Sequence, residues 1–315
     1  MADWKTIAVV GATGAQGSGL VRAICADPAA KFAARALTRN VNSEKARSLA
    51  ALGAEVVAAD VDDPASLRRA FEGAYGAYCV TFYWEHFSPD KERAQAGAMA
   101  EAAKAAGVRH AIWSTLEDTR LLCPLDDPRM PTLMGRFKVP HFDAKGESNA
   151  LFTQAGVPVT FLLTSFYWDN FLHFGMGPRR GADGGYAITL PMGEAKLPGI
   201  AAEDIGACAY GIFERPETIG RTLGIAGEHL TGSEMADAFT VALGVPVAYN
   251  AVPPEVYRGF GFPGADDLGN MFQYKHDFES QFRAARNVEA SRSLYPGLRT
   301  FAQWLEENKA RIPLE

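Results

Sequence analysis

The chain has 315 residues, 48% hydrophobic and 22% charged, a composition with room for one large core or two domains. Its 31 basic and 37 acidic side chains leave a net charge of −6, which argues against direct nucleic-acid binding. Cys25, Cys79, Cys123 and Cys208 lie far apart without metal-site spacing, and no run of about 18 apolar residues offers a membrane span.

The first residues, MADWK, lead straight into an apolar run, so a cytoplasmic protein without a secretory leader is expected. Thr6 to Val10 reads as a strand buried on both faces, as in a parallel sheet. A glycine-rich turn over 11–19 follows, and Leu20 to Ala26 continues as a helix. Phe32 to Leu37 reads as a second strand ending at Thr38, Arg39 and Asn40. Ser43 is placed to cap a helix that Gly53 stops. Glu55 to Ala59 reads as a third strand delivering Asp60, and Pro64 opens a helix to Phe71. Ala77 to Thr81, Arg109 to Trp113 and Val157 to Leu163 read as three further strands. Helices over Lys91 to Ala106 and Phe142 to Gln154 separate them. This strand–helix rhythm predicts a doubly wound Rossmann-type α/β sheet.

The rhythm changes after Leu163. Residues 164–198 are rich in aromatics, Gly and Pro, with a helix expected over Phe166 to Phe174. Helices are expected from Ala202 and from Thr231 to Leu243, a strand over Thr222 to Ile225, and a last helix over Phe301 to Ala310. The expected division is a dinucleotide domain over 1–163 and a smaller α/β domain over 164–315, with about 200–227 able to return to the first sheet.

The strongest motif is Gly11-Ala12-Thr13-Gly14-Ala15-Gln16-Gly17, a G-x-x-G-x-x-G turn between a strand and a helix. Glycines there permit positive φ and let the backbone approach a diphosphate, which the helix's first N–H groups favour. Thr13 and Gln16 add polar contacts. An Arg at position 39, where NAD sites place an acid, favours the 2′-phosphate of NADP over the hydroxyl of NAD. Asp60 and Val61 are placed to border the adenine. Thr81, Phe82 and Tyr83 follow the fourth strand and Ser114 the fifth, so they are expected along the cofactor. For each of these residues, packing or capping is the competing role.

Downstream, His141 and Lys145 lie four apart on one expected helix. Lys145 is placed to donate to the nicotinamide ribose, while His141 either supplies a proton or lines the pocket. Ser165, Phe166 and Tyr167 follow the sixth strand, where they either cover the nicotinamide or form core. The aromatic stretch Val256 to Phe278 is read first as packing. None of the six histidines stands in a zinc-motif arrangement, and no metal site is expected.

These residues resemble the NmrA-like family, a branch of the atypical short-chain dehydrogenase/reductases. The strings that carry the likeness are VVGATGAQG at 9–17, TRN at 38–40, GAEVVAADVDD at 53–63 and YWE at 83–85, followed by HFDAKGE at 141–147, GVPVT at 156–160, FGFPGADDLGNMF at 260–272 and FAQWLEENK at 301–309. The resemblance implies a Rossmann domain with a smaller C-terminal domain. It also implies NADP held through Gly11, Thr13, Gly14, Gln16, Gly17, Arg39, Thr81 and Lys145. The chain departs from ordinary short-chain dehydrogenases at His141, where they carry the acidic Tyr. It departs from close relatives after Arg39, where they carry several basic residues and this chain reads Asn40-Val41-Asn42-Ser43-Glu44-Lys45, so Arg39 is expected as the strong positive contact and NAD is admitted beside NADPH. Two functions follow. One is an NADPH-responsive redox sensor acting through a regulatory protein partner. The other is an NAD(P)H-dependent reductase of a quinone, enone or aromatic carbonyl, with Lys145, His141 and Tyr83 at the substrate. Either would be a monomer or homodimer.

Overall fold

The computed structural model describes residues 5–181 and 184–314; the opening residues 1–4, read above for a leader, lie outside them. The chain divides into two compact units. The first comprises 1–118, 144–164 and 202–223; the second comprises 119–143, 165–201 and 224–315.

The first unit holds β1 (Lys5–Val9), α1 (Ala15–Ala26), β2 (Phe32–Thr38), α2 (Glu44–Ala51), β3 (Glu55–Ala58), α3 (Pro64–Phe71), β4 (Gly76–Cys79), α4 (Pro89–Ala105), β5 (His110–Thr115), most of α5 (Pro140–Ala155) and β6 (Val159–Leu163). The strand Thr222–Gly224 adds to the β6 edge, giving the order Thr222–Gly224, β6, β5, β4, β1, β2, β3. All pairs from β3 to β6 are parallel. Strand order therefore reverses between β1 and β4, the position at which doubly wound sheets bind ligands outside the carboxyl ends of their strands.

Apolar runs build this sheet because helices cover both faces. Ile7, Ala8 and Val9 are fully buried, and Trp113 of β5 stacks on Phe152 of α5 with ring centroids 5.1 Å apart. Ser43 caps α2 by accepting from Ala46 N–H, as its position before the helical run predicts. β5 runs two residues further than its apolar run suggests, because Ser114 and Thr115 pair with Leu162 and Leu163.

The second unit carries two three-stranded sheets. One orders Glu228–Leu230, Leu197–Ile200 and Phe166–Tyr167; the other orders Val247–Ala251, Tyr186–Leu190 and Arg179–Arg180. The helix expected over 166–174 is thus a short strand followed by a 3₁₀ turn at Trp168–Phe171. Phe166 and Tyr167 pair with Gly199 and Ile200, and that sheet edge overrides local helical propensity. Phe171, Phe239, Phe301, Trp168 and Trp304 form the aromatic core beneath it. The helix Gly232–Leu243 begins in a Thr231/Glu234 capping box, which supplies partners for its first N–H groups.

Candidate dinucleotide site and its lysine

The turn after β1 is shaped by what its glycines lack. Gly11 has φ of +63°, the left-handed region, and Gly14 N–H donates to its carbonyl at 2.8 Å. A Cβ on Gly17 would stand 2.4 Å from the Gly11 oxygen, so the first turn of α1 closes on the loop only with glycine there. Gly14 is the N-cap of α1 and supplies no side-chain cap. The twelve-residue helix thus begins with backbone donors facing the loop, a setting that suits a diphosphate. Thr13 is half-buried and Ala15 is exposed at the same end. Gln16 Oε1 accepts from Tyr78 Oη and from Ser114 Oγ (2.8 Å), which fastens the helix start to β4 and β5.

On the β2 side, Arg39 and Asn40 are exposed. Arg39 Nη1 lies 2.6 Å from Glu85 Oε1, in the 3₁₀ turn Tyr83–Glu85 after β4. Asp60 is half-buried, and its Oδ1 accepts from Asp62 N–H at 3.0 Å; Val61 packs against the core.

Beyond β4 lies a buried polar network that the sequence does not announce. Lys145 Nζ stands 2.8 Å from Glu92 Oε1, 2.5 Å from Thr81 Oγ1 and 3.4 Å from the Thr81 carbonyl, with the Trp113 ring centroid at 5.1 Å. Three acceptors match the three ammonium donors. Glu92 has no exposed surface; its Oε1 also accepts from Thr81 Oγ1, and its Oε2 lies 3.5 Å from His86 Nε2. His86 Nδ1 accepts from Ser88 N–H at 3.0 Å, which turns Nε2 toward Glu92. Burial raises the Glu92 pKa, yet the Lys145 charge and the His86 and Thr81 hydrogen bonds outweigh it and bring the carboxyl to about 2. Lys145 is thus held by the turn after β4, by α4 and by the Trp113 ring of β5. Thr115, not itself in the network, fastens α5 by lying 3.1 Å from the Lys145 carbonyl and 2.8 Å from Asn149 Oδ1.

Of the remaining expected residues in this unit, Phe82 is 54% exposed, whereas Tyr83 is buried, its ring 5.4 Å from that of Trp84 and 5.8 Å from that of His86.

In the second unit, the N-terminal turn of α5 carries a histidine–carboxylate pair. His141 Nδ1 lies 2.6 Å from Asp267 Oδ1, and His141 N–H donates to Asp267 Oδ2 at 3.1 Å. Both side chains are buried. Asp267 belongs to the helix Ala265–Asp277, anchored by Asn270, whose Nδ2 donates to the Pro131 and Lys138 carbonyls at 2.9 and 2.6 Å. A carboxylate on Nδ1–H fixes the ring and its tautomer, leaving Nε2 as the basic nitrogen. Asp143 is structural: it accepts from Thr119 N–H and Oγ1 and from the Lys138 and Val139 N–H groups, at 2.6 to 3.1 Å. Ser165 and Phe166 are buried and Tyr167 is half-buried; Ser165 Oγ has no hydrogen-bond partner among the described residues.

Three of these residues, Glu85, Glu92 and Asp267, were missed in the sequence. For Glu92 a signal exists. It shares the stripe of α4 with Gln95, Ala96, Met99 and Ala103, all buried, and a Glu in such a stripe needs a buried partner.

A glycine turn opening α1 at the switch point of a parallel sheet is the arrangement of a Rossmann-type fold. The NmrA-like family model matches residues 3–305, and the chain belongs to that family. It is 31% identical over 273 residues to an NAD(P)H azoreductase of Xenophilus azovorans, covering 84% of this chain and 86% of that protein. It is 28% identical over 306 residues to the NmrA-like family domain-containing oxidoreductase FrzB of Cladobotryum sp, covering 90% and 88%. Among solved structures it is similar to NmrA, a negative transcriptional regulator, in complex with NADP: TM-score 0.78, 25% identity, 97% of this chain and 95% of that one. The same regulator is also known in complex with NAD.

Proposed function

We propose that this protein is an NAD(P)H-dependent reductase, with NADPH as its preferred cofactor. Its diphosphate would lie on Gly11, Thr13, Gly14, Ala15, Gln16 and Gly17, its 2′-phosphate on Arg39 beside Asn40, and its adenine beside Asp60 and Val61. Thr81, Phe82, Ser114 and Lys145 would follow the ribose and nicotinamide. The residues fit this group: the Gly17 cradle admits no Cβ.

The observation that carries the reading toward catalysis is the His141–Asp267 pair on the helix that also bears Lys145. Bound NADPH supplies a hydride. The chain's own residues supply the rest. Lys145, fixed by Glu92 and Thr81 Oγ1, would turn the N–H now on the Thr81 carbonyl, 3.4 Å away, to the ribose hydroxyls and so set the cofactor's orientation. His141, its Nδ1 held by Asp267, would take a proton from solvent on Nε2 and pass it to the substrate atom left electron-rich. Hydride and proton together make a two-electron reduction, which suits an azo compound, quinone, enone or aromatic carbonyl. The azoreductase relative supports the first of these. Tyr83 is buried in the aromatic turn and is proposed to shape the substrate side rather than to donate.

A second reading, an NADPH-responsive regulator working through a protein partner in the cytoplasm, is favoured by the likeness to NmrA along almost the whole chain. The net charge of −6 supports a protein rather than nucleic acid as that partner. Among the described residues, no helix is long and apolar enough to cross a membrane. Mixing the protein and NADPH with azo dyes, quinones and enones separates the two readings. Oxidation that falls at least tenfold in Lys145→Met is expected; tight binding without oxidation across the panel would leave the regulator.

A further inference from the structure

The residue assigned to the 2′-phosphate already has an anionic partner. Arg39 Nη1 and Glu85 Oε1 are 2.6 Å apart, with side chains 63% and 48% exposed. The pair joins the end of β2 to the turn after β4, across the mouth of β1. Two further carboxylates, Asp60 and Asp62, act on the same guanidinium through their charge. Asp62 has its own cation, Lys91, at 2.8 Å, and accepts from Gln95 Nε2 at 2.8 Å. Asp60 accepts from its own loop. Glu85 is therefore the carboxylate that engages Arg39 directly.

A guanidinium presents the same planar fork to a carboxylate and to a phosphate. We propose that Glu85 sets the balance between the two cofactors: its carboxylate takes, on Arg39, the place of a 2′-phosphate. A 2′-phosphorylated nucleotide must displace it and then tolerate it as a neighbouring like charge. A 2′-hydroxyl nucleotide leaves the pair intact. The inference rests on the reading of Arg39 as the 2′-phosphate contact. Glu85 would then let a 2′-hydroxyl nucleotide compete at a site whose strong positive contact is Arg39. The competing pair is exposed, so its hold is modest and the phosphate prevails only by a small factor.

The test uses two probes without a nicotinamide, 2′,5′-ADP and 5′-ADP, titrated calorimetrically into the wild-type protein, Glu85→Gln, Arg39→Ala and the double variant. Glu85→Gln is expected to tighten 2′,5′-ADP by roughly threefold to tenfold, from the exposed ion pair lost and the repulsion relieved, and to leave 5′-ADP within about twofold. In the Arg39→Ala background Glu85→Gln should tighten 2′,5′-ADP less, because only the repulsion is then relieved. If Arg39→Ala weakens 2′,5′-ADP selectively while Glu85→Gln changes neither probe, or both alike, the proposal falls and the Arg39 assignment stands. If Arg39→Ala weakens both probes equally, the assignment itself falls and takes the proposal with it.

Discussion

The turns after β1 and after β4 leave neighbouring strands of one sheet, yet they are built by opposite means. The first is made of backbone: Gly11, Gly14 and Gly17 contribute no side chain, and the close approach of helix to loop does the work. The second is made of charge: Thr81, Glu85 and His86 each engage a residue from elsewhere in the chain, namely Lys145, Arg39 and Glu92. A backbone site is rigid and serves any diphosphate. A side-chain site discriminates between ligands but depends on distant partners holding their positions. The two should therefore fail differently when perturbed.

The glycine turn should fail completely. Gly17→Val places a Cβ 2.4 Å from a carbonyl oxygen that cannot move without unwinding the loop. NADPH and NADH titrations are expected to show no saturable binding, both cofactors being lost together. Saturation with near-native affinity would show that the turn is not the diphosphate site.

The β4 side should fail by losing stability. Glu92→Ala leaves the Lys145 ammonium buried without its carboxylate, a change that costs about 3–5 kcal/mol in unfolding free energy. Denaturant melts measure it directly; a loss below about 1 kcal/mol would show that water replaces the carboxylate freely. The carboxyl of Glu92 is lowered from 4.5 to about 2, so its contribution is complete above pH 4.5 and fades as pH falls toward 2.

A second acid-sensitive group lies in the same sheet and sharpens the contrast. His110 is fully buried with Nε2 2.9 Å from Thr160 Oγ1, and burial lowers its pKa from 6.5 to about 4. The folded state thus refuses a proton that the unfolded chain accepts. Stability is whole above pH 6.5 and falls as pH drops toward 4, by about 3 kcal/mol. Melts of wild type and His110→Gln across that window should diverge, the variant being flatter. Parallel curves would remove His110 as the cause.

The smallest expected effect is on turnover. Asp267→Asn keeps the shape of the His141 pair but removes its charge. It should lower kcat by roughly tenfold to a hundredfold and leave NADPH affinity unchanged. A shift in cofactor affinity without one in kcat would assign the pair to folding instead.

The same contrast explains what could be read from the chain. The glycine turn was legible because its determinants lie within seven residues, and strand–helix alternation placed β1 to β6 around it. Caps at Ser43 and Thr231 were legible for the same local reason. The partners of the reactive residues were not. His141 and Asp267 are 126 positions apart, Lys145 and Glu92 are 53, and no local pattern links them. Phe166 and Tyr167 misled because their composition allows a helix, while a sheet edge from Gly199 and Ile200 claims them.

The central claim is that a cofactor seated on residues 11–17 delivers its hydride to a substrate. Stereospecifically deuterated NADPH, labelled at C4 on each face in turn, tests it in a single turnover with an azo dye or a quinone. One of the two labels, and only one, is expected to slow NADPH oxidation by a primary isotope effect and to be missing from C4 of the NADP+ formed. NADPH that binds at full occupancy and is never oxidised, with either label and every acceptor, would contradict it.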